Sequence, residues 1–190
     1  MCAPVVQRLP PDATDGDLLL RLWEPKDAPL LHQAIVDNME HLRPWMAWIA
    51  FEPLTVDQRR ELIAQWQREW EAGRHAPMAM MVDGVVVGGT GYVRREGSSA
   101  LEIGYWVHLE HLGRGYATRA TRALTTAVFD AGVVSEVEVH HDKANVRSGL
   151  VPPRLGFEFI GERPDGVTSP GEVGVDCGWR TTAAAWSSAC

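Results

Sequence analysis

The spacing of apolar residues changes several times along the chain, and each change marks an element. "LLLRLW", Leu18 to Trp23, reads as a short strand. Asp27 offers an N-cap and Pro29 suits a first turn, after which Leu30, Leu31, Ala34 and Ile35 recur at helical spacing. The tryptophan- and proline-rich stretch "HLRPWMAWIAFEP" follows. Thr55 and Gln58 then form a capping box ahead of a second helix, whose apolar stripe is Leu62, Ile63, Trp66 and Trp70. "APMAMMVDGVVVGGTGYVRREGSSALEIGYWVH" switches to period two and predicts three antiparallel strands, separated by an Asp83-Gly84 turn and a Glu96 to Ser99 loop. Helical spacing returns from Gly115 to Ala131, with Ala117, Ala120, Leu124, Ala127, Val128 and Ala131 on one face. Beyond it, "VVSEVEVHH" predicts a strand, "NVRSGLVPPRLG" a short helix and "FEFIGERP" a strand. A loop from Pro164 to Gly174 leads to a last strand near Val175 to Thr181. The fold class is therefore α/β (α+β), with a mixed, mostly antiparallel sheet flanked by helices. A single domain over 1–190 is expected, with a leader (1–16) and a tail (183–190) that are poorly ordered.

Composition narrows the function classes. With 190 residues, 45% hydrophobic and 23% charged, the chain matches an ordinary soluble domain able to bury one core. No apolar run approaches the roughly 18 residues of a membrane span, and no export signal opens the chain, so a cytoplasmic protein without a membrane partner is expected. The formal net charge of -7 argues against a sequence-blind nucleic-acid binder. Cys2, Cys177 and Cys190 are far apart, which suits a reduced compartment, and no Cys/His cluster has metal-ligand spacing, so no metal is expected.

Candidate chemistry begins at "HLGRGYATRATRAL". Two glycines around an arginine open a helix where Ser, Thr, Asp or Asn would ordinarily cap it. Amides at a helix start and the positive end of its dipole favour an anion, and a glycine lets phosphate oxygens reach the backbone. A Walker loop is excluded because no Gly-Lys pair occurs, and the dinucleotide fingerprint is disfavoured because Thr118 stands at its sixth position. A turn without a ligand is the plain alternative.

"LGRGYA" resembles the acyl-CoA-binding signature Q/R-x-x-G-x-G/A of the GNAT superfamily of N-acetyltransferases, with Leu112 in place of the usual Gln or Arg. "NVRSGLVPPRLGF" resembles the family's N-x-x-S…LGF segment, and "HLRPWMAW" resembles the RimJ/RimL-like branch. The resemblance spans about Leu18 to Arg180 and implies two central strands that splay apart around pantetheine. It implies acetyl-CoA as cofactor, held by Leu112, Gly113, Arg114, Gly115, Tyr116, Ala117 and Thr118 at the diphosphate. Main-chain groups of Tyr105, Trp106 and Val107, on a strand expected to carry a bulge, would pair with pantetheine, and Asn145 and Ser148 would flank the thiol. Arg114, Arg119 and Arg122 are further candidates for the nucleotide's phosphates, with a solvated surface charge as Arg122's alternative.

Acetyl transfer to an amine needs a neutral nucleophile, a polarised carbonyl and a proton for the departing thiolate. At pH 7 an α-amine costs roughly 1 kcal/mol to neutralise and a lysine amine about 4.6. Glu102 is the first candidate base, directly or through water; a solvated strand glutamate is its alternative. His140 is a second catalytic candidate. His141 would border the acceptor or pack in the core. Pro152 occupies the position where many relatives have a thiol-protonating tyrosine, so Ser148 is the candidate for that role, or else an N-cap. Trp45 and Trp48, with Glu102, would wall the acceptor, a small-molecule or peptide amine. The loop before the last strand either closes over the acceptor or merely connects. Two other readings stay open: an acyl-CoA-binding module without catalysis, and another donor such as succinyl-CoA, met by Arg43 or Arg147. A homodimer is compatible with the exposed aromatic stretch.

Overall fold

A computed structural model describes residues 9–94 and 99–189, with side chains to residue 187. Residues 96–98 of the expected loop, and Cys2 and Cys190, lie outside the described residues. One sheet runs through the molecule in the order β1-β2-β3-β4-β5-β6-β8-β7. Its strands are β1 (Asp12–Asp15), β2 (Leu18–Leu22), β3 (His75–Val82), β4 (Val85–Val93), β5 (Leu101–Val107), β6 (Glu136–Asp142), β7 (Glu158–Pro164) and β8 (Val175–Thr182). The helices are α1 (Ala28–Val36), α2 (Met39–Leu42), α3 (Val56–Glu71), α4 (Tyr116–Asp130), α5 (Val146–Gly149), α6 (Val151–Arg154) and α7 (Ala183–Ala189).

Strand alternation divides the core between the two faces of the sheet. Met78, Met80, Leu101 and Ile103 turn toward α4, where they meet Ala120, Leu124 and Val128. Ala79 and Met81 turn the other way and pack with Leu31 and Ile35 of α1 and Ile63 of α3. Burial of the Tyr92 ring in the first layer pushes its hydroxyl well up from the usual tyrosine range, and that hydroxyl donates to the Leu124 carbonyl at 2.8 Å. The α3 capping box forms as the sequence predicts: Thr55 accepts from the Gln58 amide and Gln58 from the Thr55 amide.

Four local expectations differ. Asp27 makes no side-chain cap for α1. Its carboxylate instead accepts from the Glu24 amide and from Arg21, the nearest cation, whose guanidinium also binds it as an ion pair. Residues 12–15 of the expected leader are strand β1, and residues 183–189 are helix α7, whose Trp186 packs edge-on against Phe157 and donates to Thr126. The bulge expected in β5 lies elsewhere: β4–β5 pairing is regular from Gly88↔Val107 to Val93↔Glu102, and the register slips between β3 and β4 at Met80/Met81.

The feature that positions the site is the single parallel pairing. β5 and β6 pair only at Leu101↔Val137 and Glu102↔Glu138, and from there the two strands diverge.

Candidate active site

The turn after β5 ends in a backbone shaped for an anion. Gly113 and Gly115 have φ values of +75° and +79°, a left-handed conformation that side chains rarely adopt, and a Cβ on either would meet nothing within 4 Å. Their surroundings are open, so the glycines answer the backbone and whatever approaches it from outside. The Leu112 amide donates to the Leu109 carbonyl at 3.4 Å and is withdrawn from the predicted set. Within the described residues, no hydrogen bond engages the main-chain amides of Gly113, Arg114, Gly115, Tyr116, Ala117 and Thr118. They lie where α4 begins, so the helix dipole adds to their donors.

The arginines around this turn sort differently from expectation. Arg114 Nη2 donates to the Glu110 carbonyl at 3.3 Å and stays at the turn. Arg119 binds Asp17 at 2.5 Å and also the Asp15 carbonyl, and Arg122 binds the Asp15 carboxylate at 2.5 Å. These two side chains fasten α4 to the β1–β2 hairpin.

The diverging strands leave one edge of β5 unpaired. The His108 amide donates to the Val87 carbonyl, and by antiparallel alternation residues 102, 104 and 106 also turn their main-chain groups toward β4. Ile103, Tyr105 and Val107 turn theirs toward the gap. Trp106 therefore drops out as a main-chain partner for pantetheine; its indole lies over Gly89 on the opposite face from Tyr105. His41 of α2, which sequence reasoning passed over, reaches the Val107 main chain, and burial lowers its pKa below the ordinary histidine value despite that hydrogen bond.

Two hydroxyls meet across the mouth of the gap. Tyr105 Oη donates to the Ser148 carbonyl at 3.0 Å and accepts from Ser148 Oγ at 3.2 Å. Burial pushes the Tyr105 hydroxyl up to about 12, against the Ser148 hydrogen bond, so it stays protonated at neutral pH. Asn145 caps α5 by accepting from the Ser148 amide at 3.2 Å, which makes Asn145, not Ser148, the N-cap.

On the other face a cavity of about 710 Å³ extends from this gap toward α1 and α3. Glu102, Trp45, Trp48, Trp66 and Trp106 line it, as do Ser148 and Tyr105. A buried ion pair, Arg59 to Glu52 at 2.7 Å, closes part of the wall. The 165–174 segment is closed at its base, where the Asp165 amide donates to the Gly174 carbonyl at 2.9 Å, and is anchored along its C-terminal half. The Gly171 amide donates to the Pro44 carbonyl at 2.9 Å, and the Asp142 carboxylate accepts from the amides of Val173, Gly174 and Val175. Burial raises the Asp142 carboxyl, but these amides and that of Ala144 overcome it and hold the pKa below the usual carboxylate value. The segment thus borders the cavity as a docked wall, with Asp165, Gly166 and Glu172 on its lining.

The two histidines are both committed. His140 Nδ1 lies 2.9 Å from Asp176 and Nε2 3.0 Å from Glu138, so both ring nitrogens are held by carboxylates. Burial raises the Glu138 carboxyl, yet bonds from His140 and Arg180 bring it below its ordinary value. His141 accepts from Trp179 Nε1 at 3.1 Å through Nε2, which places its proton on Nδ1, facing the Asp142 carbonyl at 2.9 Å. A Cβ on Gly149 would stand 2.7 Å from its ring, so it packs under α5. All three candidate bases, Glu102, His140 and His141, line the cavity. Glu138 shares a face with His140 two residues on, a signal open in the sequence; Asp176 comes from a distant strand and left none.

Among the described residues no group of His, Cys, Asp or Glu is arranged to hold a metal ion, and no helix is long and apolar enough to cross a membrane.

A turn of open amides, a diverging pair of strands and a cavity across them are the parts that an acyl-CoA-dependent acyltransferase needs. Residues 17–158 match the family model for the acetyltransferase (GNAT) domain, and the chain belongs to that family. As a member it is an acyl-CoA-dependent acyltransferase with acetyl-CoA as co-substrate. YdaF of Bacillus subtilis (strain 168), provisionally named a ribosomal N-acetyltransferase, is 32% identical over 156 residues, covering 79% of this chain and 82% of its own. Among solved structures, RimJ of Mycobacterium smegmatis in complex with CoA-disulfide superposes with a TM-score of 0.76 at 24% identity, covering 88% of this chain and 82% of that one. RimL, a ribosomal alpha-N-protein acetyltransferase in complex with coenzyme A, gives 0.81 at 18% identity, with 92% and 97% covered.

Proposed function

We propose that the chain is an N-acetyltransferase that moves the acetyl group of acetyl-CoA to a primary amine by direct attack in a ternary complex. The observation that carries the reading is the continuity of the cavity: it joins the gap beside Tyr105 and Ser148 to the aromatic chamber beside Glu102, so two substrates can meet over β5. The diphosphate would rest on the amides of residues 113–118, pantetheine along the free edge of β5, and the amine in the chamber. Glu102 would take the amine's proton, directly or through water. Ser148, hydrogen-bonded to Tyr105, would return a proton to the thiolate. Direct transfer is supported by Cys177: it is buried, and burial raises its pKa, the opposite of what a thiolate nucleophile needs. The names of the relatives favour a protein α-amine as acceptor, the amine that is less costly to neutralise.

The test is free-thiol release from acetyl-CoA with a panel of N-terminal peptides and small amines, run beside Glu102→Gln. Turnover with at least one amine, reduced about 100-fold or more by the substitution, is expected. Acetyl-CoA binding with no thiol released by any amine would identify a binding module instead.

A further inference from the structure

Four glycines occupy the β4–β5 ladder, and three have a folding reason. A Cβ on Gly88 would stand 2.3 Å from the Trp106 carbonyl oxygen, on Gly89 2.4 Å from the Trp106 indole nitrogen, and on Gly91 2.5 Å from the Ala76 carbonyl oxygen. Gly104 has no such reason. It pairs in register with Gly91, its φ is not among the positive values, and a Cβ there would meet no heavy atom within 4 Å. A glycine inside a strand weakens it relative to alanine, and where the fold does not require one, close approach of something else is the usual cause.

The position tells what approaches. Gly104 lines the cavity, is exposed, and shares a strand face with Glu102 and Trp106. Thr90 Oγ1 donates to its carbonyl at 2.8 Å, so the strand is held firmly at this residue. The tryptophan wall of the chamber faces the same space, while the pantetheine gap runs along the edge of β5 rather than over this face.

We infer that Gly104 is a specificity-determining position: its missing side chain leaves clearance for the carbon that bears the acceptor amine as it crosses β5 toward the thioester. The inference rests on the acetyltransferase reading above. A methyl group at 104 would occupy the space between Glu102 and Trp106 and hold the amine back from the carbonyl. Displacement of a reacting group by about 1 Å costs on the order of a hundredfold. The free protein, by contrast, has room for that methyl.

The experiment compares the wild-type chain with Gly104→Ala and, as a steric control, Gly91→Ala. Three quantities are read: thiol release with an amine the wild type acetylates, calorimetric affinity for coenzyme A, and Tm. Gly104→Ala is expected to keep its coenzyme A affinity within twofold, to keep or raise its Tm, and to lose about tenfold to a hundredfold in kcat/KM for the amine. Gly91→Ala is expected to lower Tm, since its Cβ collides with β3. An unchanged kcat/KM in Gly104→Ala overturns the inference. So does a fall in its Tm, which would give the glycine a folding role, or a loss of coenzyme A affinity, which would make the clearance the cofactor's. A wild-type chain that releases no thiol with any amine refutes the acetyltransferase reading along with this one, whereas active wild type beside equally active Gly104→Ala refutes this one alone.

Discussion

Tyr105→Phe isolates the role of the hydroxyl pair at the gap. The substitution keeps the ring, which packs against the α4-facing core, and removes two hydrogen bonds: the 3.0 Å donation to the Ser148 carbonyl and the 3.2 Å acceptance from Ser148 Oγ. Loss of a part-buried hydroxyl pairing costs about 1 to 3 kcal/mol where the partner is left unsatisfied. A stability loss near the lower end is expected, because Ser148 is only half-buried and water can take over its freed carbonyl and hydroxyl. Stability also gains a pH signature. The folded pKa, about 12, lies above the unfolded value of 10.0, so the group's contribution is complete below pH 10 and is lost as pH rises toward 12. Over the first unit of that window the wild type should lose about 1 kcal/mol more than the phenylalanine variant.

The catalytic consequence is separate. A positioned proton donor contributes about 10²- to 10⁴-fold, and Tyr105 would orient the Ser148 hydroxyl it accepts from, so kcat should fall about tenfold in Tyr105→Phe and at least 100-fold in Ser148→Ala. Chemical denaturation between pH 8 and 11, together with steady-state thiol release, reads both effects. A variant that loses stability as expected but keeps full kcat would refute that orienting role and leave the pair as a brace between β5 and α5.

Gly115→Ala forces a side chain into a left-handed φ of +79° and places a methyl beside the open amides; coenzyme A affinity measured by calorimetry should weaken about 10- to 100-fold, with stability down by about 1 kcal/mol. Arg122→Ala, whose guanidinium is spent on Asp15, should leave that affinity unchanged within twofold. Asp142→Asn keeps the shape of the loop anchor and removes its charge, so protection of the 173–175 amides in hydrogen exchange should fall. In the wild type the Asp142 contribution is complete above its unfolded pKa of 3.8 and is lost as pH falls through the lowered folded value; the Asn variant should lack that acid limb of the stability profile.

The elements with strong local patterns were legible in the sequence. The Thr55/Gln58 box, the period-two run of β3 to β5 and the alanine stripe of α4 each encode their structure within a few residues. The glycines before α4 were readable for the same reason, since a turn with positive φ leaves its mark on residue type. What escaped was long-range. Asp15 and Asp17 look like part of a polar leader until folding brings them to Arg119 and Arg122, more than 100 residues away, and no local spacing predicts such a pairing. The hold on His140 leaves no mark in its own stretch of sequence, because Asp176 lies on β8, outside any window that contains it. The divergence of β5 from β6 depends on where pairing stops, at Glu102, and both strands have ordinary strand sequences beyond that point.

The amides of residues 113–118 carry the account, and their resonances in a ¹⁵N-labelled protein titrated with coenzyme A test it most directly. Saturable shifts concentrated on Gly113 through Thr118, with smaller ones on Tyr105 and Val107, are the result expected. Binding that leaves those six amides unmoved would contradict it.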